Sequence, residues 1–180
     1  MNVLVLFFDL IKVDVPLRPI MSYKQSPAMY ISKFLNDMLA PLYLKVARKT
    51  TYISGIDVIR QLEQYLNNGR LLPTTQFVIF DVTDLYTMIP RDGAIDALAR
   101  FLSKHLKNGR IGNIRIDTIL RLARLVLDTN YFAYGDKYYK QIKGGAMGSQ
   151  FTMVLANIYM LQWEQPLIEH QQCHDELYGR

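Results

Sequence analysis

Phe77-Val78-Ile79-Phe80-Asp81-Val82-Thr83-Asp84-Leu85-Tyr86 is the stretch that decides how this chain is built. Four consecutive apolar residues of strand length and composition predict a short strand covered on both faces. Two acids and a tyrosine follow at once. A carboxylate costs free energy to bury unless it is paired or holds a cation. At a strand end, Asp81 would stand rigidly at the rim of a sheet, where oxygen ligands for Mg²⁺ are wanted. Three residues on, Asp84 falls in a turn where the backbone N–H groups of Asp84 and Leu85 could face an anion. An Asp that merely caps the following turn fits the same letters, and from these residues alone both readings stand.

Upstream, Pro16 and Pro19 punctuate an extended segment, Val15–Ile20. Ser26-Pro27 has the form of a helix start, with Ser as N-cap and Pro at the first helical position. Met29, Ile31, Phe34, Leu35, Met38 and Leu39 continue it at helical spacing, and Pro41 is expected to end it. A second amphipathic helix is predicted over Ile56–Leu66, closed by Asn67-Asn68-Gly69. The apolar run Asn2–Phe8 is far short of the roughly 20 residues a spanning helix needs. It lacks the features of a signal peptide, and it fits a buried strand or an accident of where the chain was started. Downstream, Pro90 opens a helix through Ile95, Leu98, Ala99, Leu102 and Leu106. Another is predicted over Ile116–Leu127, carrying Arg121 and Arg124. Tyr131–Tyr134 and Lys137–Gln141 flank Gly135-Asp136 as a hairpin with a two-residue turn. A flexible loop, Gly144–Gly148, precedes a long apolar helix over Phe151–Trp163, interrupted by Pro166. Strands and helices mix without strict alternation, so the fold class expected is α+β.

Of the 180 residues, 50% are hydrophobic and 21% charged, which supplies a real core and excludes a disordered chain. One cysteine, Cys173, excludes an intramolecular disulfide framework and a cysteine-cluster zinc site. The net charge of +5 is uneven: residues 91–143 hold 11 Lys/Arg against 5 Asp/Glu, and residues 144–180 hold 1 against 4. The basic segment suits a polyanion, although a solvated helical surface gives the same pattern.

The loop Lys143-Gly144-Gly145-Ala146-Met147-Gly148-Ser149 permits close backbone approach to a planar or phosphorylated ligand. It is neither a phosphate-binding Walker loop nor a dinucleotide fingerprint. Taken together with the first stretch it is far more specific. Phe80–Pro90 resembles motif A of the reverse transcriptase palm. Gln141–Ser149, followed by Ala156-Asn157-Ile158-Tyr159-Met160, resembles motif B. Leu17–Ile20, Ser26-Pro27 and the helix from Lys33 to Pro41 resemble the fingers of the same family. The forms Leu85-Tyr86-Thr87-Met88-Ile89-Pro90 and Gly144-Gly145-Ala146-Met147-Gly148 are most similar to Penelope-like retroelements. The resemblance covers about Leu17 to Trp163.

It implies a partial right-hand polymerase fold, with residues 1–75 as a fingers-like segment and 76–180 as a partial palm. It implies an RNA-directed DNA polymerase that joins dNTPs to a primer 3′-hydroxyl on an RNA template, with two Mg²⁺ or Mn²⁺ ions as cofactor. Asp81 and the Val82 carbonyl would be metal ligands, with Asp81 the catalytic carboxylate. Tyr86 would be the steric gate beneath the incoming sugar, where the plainer alternative is a core tyrosine. Gly144, Gly145, Met147 and Ser149 would form the floor beneath the incoming nucleotide and the template base, and Asp84 and Leu85 would bind the nucleotide through their backbone N–H groups. Arg18 would reach the triphosphate. Arg121, Arg124, Lys137, Lys140 and Lys143 would contact the nucleic-acid backbone. Tyr131, Phe132, Tyr134, Tyr138 and Tyr139 could stack on bases or pack one face on the core. The resemblance also implies an intracellular, nuclear location and no membrane.

The pattern departs from the family in three places within motif B: Gly145 stands for Thr, Gln150 for Pro and Met153 for another Pro. The family's motif C, an aromatic, one residue, then Asp-Asp, has no counterpart, because the sequence contains no Asp-Asp pair. Asp175-Glu176 and Tyr178-Gly179-Arg180 look like its lead-in. The expectation is a chain clipped before motif C and unable to polymerise alone. The competing expectations are a non-catalytic nucleic-acid-binding remnant and an inert gene fragment with an unpaired sheet edge.

Overall fold

The computed structural model describes residues 3–7, 18–22, 28–134 and 136–180, with backbone alone for the first two segments. In chain order the elements are β1 (Val3–Phe7), β2 (Arg18–Ser22), α1 (Met29–Ala47), α2 (Gly55–Asn67), α3 (Leu85–Met88), α4 (Arg91–His105), β3 (Arg110–Ile111), β4 (Ile114–Arg115), α5 (Ile116–Asp128), β5 (Tyr131–Tyr134), β6 (Lys137–Lys140) and α6 (Gln150–Cys173). The class is α+β, as the mixed pattern predicts. One sheet has the order β2-β1-β5-β6, and β3 and β4 form a separate two-stranded hairpin. β1 runs antiparallel to β2 and parallel to β5, and β5 runs antiparallel to β6 with Tyr134 opposite Lys137. That register fits the expected two-residue turn; Gly135 of that turn, like Ser26-Pro27 of the expected helix start, lies outside the described residues.

The core is helical. Leu35, Leu39 and Tyr43 of α1 meet Leu98 and Leu102 of α4, Ile119 and Ala123 of α5, and Phe151, Leu155 and Ile158 of α6 in one cluster of buried side chains. Each set recurs every three or four residues, which places it on one face of its helix. Each large apolar side chain so buried contributes about 1.5–3 kcal/mol. The cluster joins α1 to the helices beyond residue 75.

Both expected proline breaks are corrected. α1 runs on through Pro41, and α6 through Pro166 to Cys173. A proline inside a helix removes one hydrogen bond at a cost of about 3 kcal/mol. Both rings lie on exposed faces. The turns beyond them return apolar residues to the interior: Tyr43 and Ala47 in α1, Ile168 in α6. That burial outweighs the lost bond. α2 starts as its sequence predicts, with the Ser54 hydroxyl accepting from the Asp57 N–H. Its apolar positions Ile56, Ile59 and Leu66 nevertheless remain exposed.

The expected buried strand over Phe77–Phe80 is also corrected. The segment forms no strand, and its four side chains are exposed, Ile79 to 92%. A strand needs a neighbour to satisfy its N–H and C=O groups. β5 has β1 on one side and β6 on the other, and Phe77–Phe80 pairs with no described strand.

The C-terminal segment is clasped between α1 and α6. Arg180 exchanges backbone hydrogen bonds with Thr50 and Tyr52. Its guanidinium donates to the Tyr43 hydroxyl at 2.9 Å and to the Asn157 side chain at 3.2 Å, and pairs with Glu164 at 3.0 Å. Glu164 is buried, and burial raises its pKa while the Arg180 charge pulls it back. The Tyr178 hydroxyl is hydrogen-bonded to Glu164, and burial with the nearby carboxylate holds it up to about 12. Replacing Arg180 by Ala leaves the buried carboxylate uncompensated and is expected to cost about 3 kcal/mol in urea unfolding. Glu164→Gln, which removes the charge as well, should cost clearly less. Tyr178 loses its proton near 10 when unfolded but only near 12 when folded. Stability should therefore fall as pH rises from 10 towards 12, and the decline should be shallower in Tyr178→Phe.

Candidate functional site

Asp84 opens the site. It adopts the left-handed conformation, with φ at 53°, which Asp tolerates better than most residues. Its carbonyl accepts from the Thr87 and Met88 N–H groups and from the Thr87 hydroxyl. The chain thereby turns from the exposed 77–83 segment into the single turn of α3. Leu85 and Tyr86 are half-buried and pack against the helical core. The plainer reading of Tyr86 is thus partly realised, since one side of the residue belongs to the interior.

The glycine loop is seated directly against α3. The Gly145 N–H donates to the Tyr86 carbonyl at 2.8 Å. Gly144 has φ at +58°, and a Cβ there would overlap the Tyr86 carbonyl oxygen and the Thr87 carbonyl group. Only a residue without a side chain fits both the left-handed backbone and the close approach. A Cβ on Gly145 would lie 2.5 Å from Thr152 Oγ1. The family's Thr has no room there because Thr152 of α6 occupies the space.

Ser149 is buried and N-caps α6: its hydroxyl accepts from the Thr152 N–H and meets the Ser32 hydroxyl at 2.9 Å. Ser32 in turn accepts from the Phe151 N–H. Here Ser149 ties the loop to α1. Met147 is half-buried.

Tyr86, Gly144 and Gly145 are therefore brought together. Asp81 and Val82 are exposed in irregular chain on the N-terminal side of α3, so Asp81 does not end a buried strand. Among the described residues no three His, Cys, Asp or Glu side chains gather as a metal site. One carboxylate and one carbonyl do not amount to the donors that two Mg²⁺ ions require. The triphosphate role expected of Arg18 rests on a side chain that lies outside the described residues.

The expected backbone contacts are exposed but scattered over two elements and a loop. Arg121 and Arg124 lie on the outer face of α5, and Arg124 is paired with Asp92 at 3.0 Å. Lys137 and Lys140 lie on β6, where Lys140 stands 5.5 Å from the centre of the Tyr131 ring. Lys143 is exposed beside the glycines. Tyr138 is 73% exposed, while Phe132 is half-buried and stacks on Tyr139 at 5.5 Å. The hairpin thus divides its aromatics between packing and solvent. No helix among the described residues is long and apolar enough to cross a membrane.

Arg91 and Asn130 at the loop escape pattern reading, and Gln141 enters it only as the first residue of the stretch that resembles motif B, with no role of its own. Arg91 donates to the Gly144 carbonyl at 2.8 Å and also to the Gln141 carbonyl. The signal for it was its position, because a cation in the first turn opposes the helix dipole and needs another reason to be there. Compared with protein-family models, with curated proteins and with solved structures, the chain matches none of them.

Gly144→Ala should destabilise the protein by about 2 kcal/mol or more, the left-handed cost plus the overlap, as read by urea unfolding. Gly145→Thr should be destabilising alone, and Thr152→Ala in the same chain should recover much of the loss. Additive losses in that double-mutant cycle would contradict the packing described.

Proposed function

We propose that this chain carries the fingers and palm portions of a reverse-transcriptase-like site, which binds a nucleic-acid primer–template and seats a dNTP on the surface formed by Tyr86 and the glycine bend together. The observation that supports it is the contact of the two motifs: the Tyr86 carbonyl bonded to the Gly145 N–H at 2.8 Å, with Gly144 pressed against the same turn. Two stretches far apart in sequence, each resembling a motif of the family, meet at this contact, which supports the reading. Tyr86 would discriminate against a 2′-hydroxyl. The exposed cations of α5, β6 and Lys143 would hold the phosphate backbone without regard to sequence. Tyr138 would offer a stacking face. With one candidate metal carboxylate, the proposed role of these 180 residues alone is binding without phosphoryl transfer.

A second reading has an observation in its favour. Asp81 lies exposed in irregular chain, which suits a protein that binds nucleic acid by its basic surface and takes no nucleotide.

Primer–template binding followed across a salt series, with dNTP binding measured in parallel, separates the two. The proposal expects affinity to fall steeply with salt, and the slope to drop by about one for each of Lys137→Ala and Lys140→Ala that removes a phosphate contact. It expects dNTP to bind more tightly than rNTP, with Tyr86→Ala erasing the difference. Salt-dependent binding with no nucleotide affinity would favour the second reading. Primer extension with Mg²⁺ should yield no product; incorporation abolished by Asp81→Asn would contradict the predicted lack of transfer.

A further inference from the structure

The glycine bend is held from behind by side chains to which the resemblance gives no role. Arg91 directly follows Pro90 at the start of α4, and its side chain is only 15% exposed. Its Nε donates to the Gly144 carbonyl at 2.8 Å and its Nη2 to the Gln141 carbonyl, while Asp128 lies 3.7 Å from Nη1. The Gln141 side chain lies against the same loop. Its Nε2 donates to the Lys143 carbonyl at 2.8 Å and to the Gly145 carbonyl at 3.1 Å, and its Oε1 accepts from Asn130 Nδ2 at 2.7 Å. The Gln141 N–H donates to the Asn130 carbonyl at 2.9 Å. Four carbonyls of the bend, those of residues 141, 143, 144 and 145, are thus bound by just two side chains.

We infer that Arg91 and Gln141 are positioning residues that brace the glycine bend against Tyr86 and so hold the shape of the nucleotide seat that the two form together. The nucleotide part rests on the function proposed above; the brace itself stands on the hydrogen bonds alone. Two features single out this pair. A planar guanidinium can serve two carbonyls at once in a fixed fork, which an ammonium cannot do. The Gln amide supplies both donors and an acceptor, so it ties the bend to Asn130, which is itself buried at the end of α5. Turned inward, these carbonyls leave Gly144 held in its left-handed conformation, the one that lets the bend touch the Tyr86 turn.

The test uses the full chain and the variants Arg91→Ala, Arg91→Lys and Gln141→Glu. Amide exchange of segment 141–149 is followed by mass spectrometry beside that of α1 and α6, and dATP affinity is measured on the same samples. Arg91→Ala and Gln141→Glu are expected to speed exchange in 141–149 about tenfold, as the loss of one or two hydrogen bonds implies, with α1 and α6 unchanged. Arg91→Lys should not restore protection. Millimolar guanidinium should restore it in Arg91→Ala and leave Gln141→Glu unaffected. dATP affinity should fall about tenfold in both unbraced variants, in proportion to the lost protection. Exchange that rises equally in 141–149, α1 and α6 would overturn the brace and reduce both residues to general stabilisers. Local loosening with unchanged dATP affinity would overturn the positioning role. Local loosening in a chain that binds no dATP even as wild type would support the brace and overturn the proposed function.

Discussion

The hydrogen bond from the Gly145 N–H to the Tyr86 carbonyl is the constraint on which the site depends. It closes a short helix and a glycine bend onto one another without any intervening side chain. Backbone-to-backbone approach of this kind tolerates nothing larger than hydrogen at Gly144, whose Cβ would strike the neighbouring carbonyls. It also fixes where the half-buried Tyr86 ring can stand. Around it lie supports of different chemistry: the Arg91 and Gln141 donors behind the bend, the Ser149–Ser32 pair anchoring its C-terminal end, and Thr152 filling the space beside Gly145.

Those supports converge because the four helices of the core fix their origins. Ser32 belongs to α1, Arg91 to α4 and Thr152 to α6, and all three helices share one apolar core. Asn130 follows α5, which completes that core. The site is therefore assembled on rigid elements, with the sheet contributing little beyond the hairpin that leads into the loop. A disturbance of the α1–α6 packing should be felt at the bend before it is felt at the exposed 77–83 segment, which has no ladder to hold it.

The helices were legible because a 3.6-residue spacing of apolar residues is a local property. Ile116–Leu127 and the helix after Pro90 lie where the spacing puts them. The hairpin was legible from its aromatic strands and two-residue turn. The misreadings share one physical cause: each depended on a competition decided elsewhere in the chain. Pro41 and Pro166 are strong local stop signals, overridden by apolar burial one turn later. Phe77–Phe80 has the composition of a buried strand, but composition does not name a partner, and among the described residues no strand pairs with it. At the site, the glycines and Tyr86 stood out through the resemblance of their two stretches to polymerase motifs. The bracing contacts of Arg91 and Gln141 did not, because nothing in the order of residues reveals which carbonyls a side chain will meet.

The most direct test of the central claim is photocrosslinking of an azido-dATP to the wild-type chain, with the modified residues mapped by mass spectrometry and unlabelled dATP as competitor. The account predicts competed labelling confined to Tyr86 and to residues 144–149. Labelling spread over the basic faces of α5 and β6, or labelling that dATP fails to displace, would contradict it.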